Sequence, residues 1–462
     1  MAASGGRIVH LGLGAFHRAH QAVYLQGLHA LGDRRWELAS GNIRPDDANT
    51  IAALQHSGGA YTLETVSPDG QRQYERITAI TRVFGWDEEL RALVTAAAEP
   101  ATKIISFTVT EAGYALRPDD DLAADTPEIA QDLATARAGG VGRTLYGVLA
   151  AVLARRMRAG AGPVTLLCCD NLRHNGERSR RALLQFLHAA GDAALAEWVR
   201  TNTTSPNAMV DRITPRPTQE VVARVHAATG VDDPAALMAE TFLQWVIQDD
   251  FIAGRPAWER VGVQLVESVT PYEEAKIRLL NATHSCIAWA GTLLGYRYIH
   301  EGARDARVRE LAYRYATDDA IAALTPSPLD LAAYRDTVLD RFGNAAILDT
   351  NQRVAMDSFA KIPAFLVPTV RDRLAAGRSV AATATVLALF LAFLQRWHRG
   401  ALPFGHQDQA MDAAQAHALC EDPDPAAAFA RIERLWGDLA GQPALVQALR
   451  QAYAGLPAAL RP

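Results

Sequence analysis

The chain has 462 residues, with 46 Lys and Arg against 51 Asp and Glu, a formal net charge of −5, and 49% hydrophobic residues. That length leaves room for two or three domains with ample core, and the composition reads as soluble and globular. No basic stripe points to nucleic acid, and Cys168, Cys169, Cys286 and Cys420 lack CxxC spacing, so neither a zinc knuckle nor a disulfide framework is supported.

The N-terminus, MAASGGRIVHLGLG, lacks a basic-then-apolar leader and runs straight into a strand pattern. RIVHLGLG reads as a buried strand ending in glycines, with an apolar-periodic helix from about Ala19 to Leu31 behind it. Strand, glycine turn and helix form the dinucleotide-binding arrangement, in which one glycine makes the turn and the next lets a pyrophosphate approach. Only Gly12 and Gly14 match; His17 stands where a third glycine would be, followed by Arg18. A tight structural turn would also use these two glycines.

WELASGNI is the next strand, followed by Arg44, Pro45, Asp46 and Asp47. An acidic residue here accepts from the adenosine ribose and repels a 2′-phosphate, favouring NAD over NADP; two acids also suit a solvated turn. YTLETVSPDGQRQYERITAI reads as a hairpin around Pro68-Asp69-Gly70. TKIISFTVTEAGY is a buried strand whose C-terminal end carries Thr110, Glu111, Gly113 and Tyr114, the edge where α/β ligands bind. A helical stretch near Gly142 to Arg158 leads to PVTLLCCDN, ending in Asp170, Asn171 and His174. Polar residues at such strand ends also serve as caps.

After about residue 180 the pattern turns mostly helical, interrupted by SPNAMVDRITPRP, a structured non-helical connection. From Pro271 onward almost everything reads as helix, with breaks near Thr325-Pro326, Pro363, Pro368 and Pro403. The apolar run from Val380 to Leu394 is shorter than the about 20 residues of a membrane span and fits a buried core helix. The expected architecture is α/β: a Rossmann-type N-terminal domain over 1–270, an all-helical C-terminal domain over 271–462, and an active site between them. A cytoplasmic location is the default.

PYEEAKIRLLNATHSCI, from Pro271 to Ile287, concentrates the chemistry. At about 100° per residue, with Glu273 at 0°, Lys276 falls at about −60°, His284 at about +20° and Asn281 at about +80°. Ile277, Leu280 and Ile287 share that face, so burying it buries a carboxylate, an amine, an amide and an imidazole as well. Only Lys103, Lys276 and Lys361 are lysines. An arginine cannot lose its proton near neutral pH and a desolvated lysine can, which makes Lys276 a candidate general base. An ordinary Glu–Lys pair at i and i+3 beside a core histidine fits the same pattern.

KIRLLNATH has the Lys-x4-Asn-x2-His pattern of the polyol-specific long-chain dehydrogenases, the mannitol dehydrogenase family. GLGAFHRAH, TVTEAGY, CDNLRHNG, PNAMVDRITP and the Arg353…Lys361-Ile-Pro segment resemble that family's blocks, in its order and over nearly the whole chain. GNIRPDD, ETVSPDG, NTTSPNAMVDRITPRP and EEAKIRLLNATHSCIAWAGTLLGYRYIHE are most similar to its bacterial D-arabinitol-oxidising members. The resemblance implies D-arabinitol plus NAD giving D-xylulose plus NADH, without a metal, in a monomer.

By position, the resemblance implies Lys276 as general base, and Asn171 and Asn281 as amides stabilising the developing alkoxide. It makes His284 a residue orienting the substrate and Glu273 a carboxylate in the proton path. Asp211, Arg353 and Lys361 correspond to contacts with polyol hydroxyls; Gly12, Gly14, Phe16, Arg18, Asp46, Asp47, Thr110 and Glu111 correspond to the cofactor site. A lysine with its pKa lowered by desolvation can do the proton-abstracting work that zinc does in other alcohol dehydrogenases. A nearby Glu273 would raise that pKa, so it is read as a partner that relays protons through water. Alternatives are a mannitol 2-dehydrogenase converting D-mannitol to D-fructose, a uronate reductase using Arg353 or Lys361 for a carboxylate, and an NAD-binding regulatory protein without chemistry.

Overall fold

A computed structural model of the chain describes residues 5–117 and 119–461, so the first four residues of the N-terminal reading lie outside the described part. It separates into two compact units: residues up to Ser67 with Arg72–Thr270, and Pro68–Gln71 with the chain from Pro271 onward.

The first unit is built on a six-stranded parallel sheet. Across it run Ile80–Phe84, Trp36–Gly41, Gly6–Leu11, Thr102–Phe107, Val164–Cys168 and Thr203–Thr204. Counted in chain order this is 3-2-1-4-5-6, the doubly wound dinucleotide-binding order, with its switch point between Gly6–Leu11 and Thr102–Phe107. Both faces are covered, which is why these strands read as near-continuous apolar runs. Val9, Leu11, Phe107 and Leu166 pack with Leu149, Val152, Leu183 and Phe186 on one side. Ile8, Leu38, Ile104 and Leu167 pack with Leu25, Tyr61, Val210 and Trp245 on the other.

Two features differ from the sequence expectation. The helix expected over Ala19–Leu31 is found as Gln21–Ala30, and a separate short helix, Ala15–Ala19, precedes it across a break at His20. The His20 ring bonds the Gln244 carbonyl at 2.8 Å and meets Trp245 edge-on, long-range contacts that override local helix preference. Residues 203–266 are also richer in strand than their mostly helical pattern. Leu237–Glu240 joins the hairpin Tyr61–Val66/Arg72–Ile77 in one three-stranded sheet; Ala208–Asp211, Gln244–Gln248 and Gln264–Val266 make another. Strands this short offer too few alternations to be read by periodicity.

Among the described residues the second unit is helical, apart from a single bridge between Tyr298 and Thr350. Its centre is Ala282–Leu293, buried at every position except His284. Against it pack Asn351–Ala355 and the long helix Ala381–His398, which is buried from Val386 to Gln395 as expected for a core helix. Pro363 does not break its helix but lies near the end of Ser358–Phe365, and Pro368 opens Val367–Ala375. Among the described residues no helix is long and apolar enough to cross a membrane.

Candidate active site

At the switch point of the parallel sheet the two glycines have different duties. Gly12 has φ of +108°, and a Cβ there would lie 2.1 Å from the Thr108 carbonyl oxygen, so no other residue fits. Gly14 would meet nothing within 4 Å, which leaves the room a pyrophosphate needs. The turn is tied to the neighbouring strand end by the Leu13 amide, which donates to Asn42 Oδ1 at 2.6 Å. Asn42 Nδ2 in turn donates to the Asp46 carbonyl at 3.0 Å, fixing the loop on which Asp46 and Asp47 stand exposed. Phe16 is half-buried and stacks on His20. Arg18 is 3% exposed; it donates to the Ala235 carbonyl and lies over the Tyr61 ring, so its guanidinium is engaged in packing the adjacent small sheet.

Asp170, just beyond Val164–Cys168, organises the facing loop. Its carboxylate accepts from the Val109 amide at 2.7 Å, the Thr110 amide at 3.2 Å and the Tyr114 hydroxyl at 2.6 Å. Burial pushes its pKa up, and these three donors oppose that shift. They hold Thr110 at φ 63° and ψ 164°, backbone that favours glycine and carries strain, with Thr110 and Glu111 exposed at the sheet edge. Asn171 follows, exposed, in the turn that Asn175 anchors. The Asn175 amide nitrogen donates to the Asp170 carbonyl at 3.0 Å and the Ala208 carbonyl at 2.7 Å, and its oxygen accepts from the Ala208 amide. One buried amide therefore joins the Asn171 turn to the strand ending in Asp211, which is also buried.

In the second unit, Pro271 lies in the helical segment Thr270–Ala275, where Glu273 is 5% exposed. The next turn is not α-helical. Lys276–Asn281 is a π segment in which the Ala282 amide bonds the Ile277 carbonyl, five residues back. A π turn takes one extra residue, so everything after it is set back by about 100°. His284 moves from the expected position to about −80°, and Asn281 to about −20°, beside Lys276 at about −60°. The α-helical phase spreads the three residues over about 140°, and the π turn narrows this to about 60°. Lys276 is 6% exposed; Asn281 and His284 are half-buried.

His284 lies flat against Phe342, ring centroids 4.3 Å apart, and its Nε2 is 3.3 Å from Asp349 Oδ2. Burial lowers the His284 pKa, while Asp349 opposes that shift. Asp349 also accepts from Arg353 through both oxygens, with Nε at 2.6 Å. Burial would raise the Asp349 pKa, but His284 and Arg353 hold it well below the usual carboxylate range. Its backbone is fixed by the Ile299 amide, 2.9 Å from the Asp349 carbonyl, and by the bridge from Thr350 to Tyr298. Lys361 donates to the Val354 carbonyl at 2.8 Å and the Met356 carbonyl at 2.6 Å, at the end of the helix that carries Arg353. Burial, then the Arg353 charge, lowers its pKa. The structure thus joins His284, Asp349 and Arg353 in one chain of contacts, with the amine of Lys361, from the next helix, at the end of the helix that carries Arg353.

Family models match both units, "Mannitol dehydrogenase Rossmann domain" over residues 6–260 and "Mannitol dehydrogenase C-terminal domain" over 268–456. The chain belongs to the mannitol dehydrogenase family. It is 57% identical to a D-arabinitol 4-dehydrogenase of Ralstonia nicotianae over 96% of this chain and 95% of that one. A Klebsiella pneumoniae D-arabinitol 4-dehydrogenase is 50% identical over 97% of each. Among solved structures, Pseudomonas fluorescens mannitol 2-dehydrogenase in ternary complex with NAD and D-mannitol superposes with a TM-score of 0.81 at 34% identity, covering 98% of this chain and 92% of that one. A D-sorbitol dehydrogenase in substrate-free form superposes at 0.89 and 31% identity, covering 100% and 96%.

As a member of the mannitol dehydrogenase family the chain is an oxidoreductase of the polyol dehydrogenase type, and its Rossmann unit suits NAD: the open side of Gly14 and the exposed acids after the second strand fit a dinucleotide. Among the described residues no group of three or more His, Cys, Asp or Glu is placed to hold a metal ion. Sequence reading passed over Asn42, Asn175 and Asp349. Asp349 has a weak signal in its i, i+4 spacing to Arg353. Leu13 and Ala208, the partners through which Asn42 and Asn175 reach other elements, lie about 30 residues away, where spacing says nothing.

Proposed function

We propose that the chain oxidises D-arabinitol to D-xylulose with NAD, acting as a cytoplasmic monomer. Residues 1–270 bind the dinucleotide and 271–462 supply the substrate and proton-transfer groups. The observation that carries the chemistry is Lys276: a lysine 6% exposed, in a π turn that sets Asn281 and His284 on its side of the helix. The two D-arabinitol 4-dehydrogenase relatives support the choice of substrate.

In this reading neutral Lys276 takes the proton of the secondary hydroxyl as bound NAD supplies the hydride acceptor. Asn171 and Asn281 donate to the oxygen as negative charge develops on it, which stabilises the alkoxide. Phe342 and Asp349 hold the His284 ring in one orientation, so that it can steer the hydroxyl. Glu273, one turn before Lys276, passes the proton on toward solvent. Asp211, Arg353 and Lys361 bind the remaining hydroxyls; Gly12, Gly14, Phe16, Asp46, Asp47, Thr110 and Glu111 line the dinucleotide. A second reading, oxidation of D-mannitol to D-fructose, draws on the likeness to the Pseudomonas fluorescens enzyme.

A panel of pentitols, hexitols and uronates assayed with NAD and NADP separates these. The expected outcome is the highest kcat/KM for D-arabinitol with NAD. A higher value for D-mannitol moves the assignment to the second reading, and activity on uronates alone would overturn both.

A further inference from the structure

The glycine turn departs from the usual fingerprint at His17, and the structure shows what stands there instead. A third glycine normally lets helix and strand pack closely. Here His17, fully buried, lies face to face with His10 of the first strand, ring centroids 3.5 Å apart and planes within 7°. Two imidazoles fill the space that a glycine would close.

The hydrogen bonds around the pair fix both rings. His10 Nε2 is 3.1 Å from the Gly12 carbonyl and 3.0 Å from Thr108 Oγ1. A carbonyl only accepts, so Nε2 carries the proton, and Nδ1 accepts from Ser106 Oγ at 2.8 Å. The Gly12 carbonyl also accepts from Thr108 Oγ1 at 3.0 Å and from the Gly14 amide at 2.8 Å. Three donors from three directions therefore hold the carbonyl of the residue that makes the turn. On the other ring, His17 Nδ1 donates to Gln21 Oε1 at 3.2 Å and Nε2 accepts from Ser40 Oγ at 3.1 Å. Gln21 donates onward to His20 Nδ1 at 3.0 Å, and His20 Nε2 to the Gln244 carbonyl. Ser106, Ser40 and the two histidines thus lock the first, second and fourth strands to the turn. Burial pushes His17 down to about 3 and His10 well below its ordinary value, so both rings are neutral at any working pH.

We propose that the stacked His10–His17 pair replaces the third glycine as the positioning element of the dinucleotide turn: by holding the Gly12 carbonyl, His10 sets the affinity for the nicotinamide cofactor. Both rings are fully buried, so they act through the turn. The proposal rests on reading Gly12–Gly14 as the dinucleotide site.

The test is NADH binding to the full-length enzyme, followed by fluorescence titration, with steady-state kinetics alongside. His10→Phe keeps the stack and deletes the hydrogen bonds to the Gly12 carbonyl, Thr108 and Ser106; Kd for NADH should rise about ten- to hundredfold, as for one or two lost buried bonds. The fall in kcat at saturating NAD should be far smaller, and KM for the polyol should hold. His10→Gln, which can still donate to the Gly12 carbonyl, should recover most of the affinity. Ser106→Ala is a smaller change that spares the fold and should raise Kd about three- to tenfold by freeing the His10 ring. Wild-type affinity in both His10→Phe and Ser106→Ala would overturn the proposal, as would equal losses in kcat and cofactor affinity. A wild-type enzyme that binds no NADH would overturn the cofactor reading beneath it.

Discussion

The Tyr315 hydroxyl donates to the Arg278 carbonyl at 2.9 Å, inside the π segment that carries Lys276. In an α-helix that carbonyl would accept from the Ala282 amide, which here bonds Ile277 instead. Tyr315 supplies the missing donor from a second π segment, Tyr315–Ile321, packed against the first. A half-buried carbonyl left without a partner costs up to about 1–3 kcal/mol, so this bond helps hold the irregular turn that sets His284 on the Lys276 side of the helix. Tyr315→Phe should lower stability by about that amount and also reduce kcat, because the π turn and the alignment it creates stand together. Thermal unfolding and turnover measured on one preparation check this; a variant less stable but fully active would separate the two.

Lys276 must be neutral to accept the alcohol proton, so oxidation should rise with pH through one ionisation and level off, while ketose reduction falls. Lys276→Ala should remove most activity in both directions, with partial rescue of oxidation by a small external amine. Lys276→Arg should be nearly as damaging, since a guanidinium stays protonated. A Lys276→Arg enzyme with near-normal turnover and an unmoved pH profile would reduce this residue to a structural partner of Glu273.

Asn171→Ala and Asn281→Ala should each reduce kcat by about 10²–10³, the usual loss for one oxyanion donor. Cofactor affinity should barely move in either. Should NADH binding collapse in Asn171→Ala while kcat holds, that side chain serves the cofactor and not the alkoxide.

Asp349→Asn should leave NADH binding intact and raise KM for the polyol about tenfold, by freeing His284 and weakening the hold on Arg353. The same carboxylate predicts a pH dependence. Its folded pKa lies below the ordinary value, so its stabilising contribution is present above about pH 4 and is lost as pH falls from there toward the depressed value. Chemical denaturation of wild type and Asp349→Asn across that range should show the stability gap closing as acid is added. A gap independent of pH would mean that the ion pair adds nothing.

What the sequence determined by itself was whatever depends on near neighbours in the chain. The strand before Gly12, the hairpin around Pro68-Asp69-Gly70 and the helical run from Pro271 are local patterns, and the structure keeps them. The blocks from GLGAFHRAH to Lys361-Ile-Pro were sufficient to point to the family. The tertiary structure decided everything whose partner is distant. An ideal helical phase separates Lys276 from His284, and the π turn, supported by Tyr315 about 40 residues on, sets them on one side of the helix. His17 looked like a defect in a glycine fingerprint until His10 appeared beneath it. Asp349 had no evident use until the fold laid it against His284, 65 residues away in sequence. Side-chain hydrogen bonds and ring stacks of this kind act over a few ångströms of space and leave no period in the chain, so no spacing rule can find them.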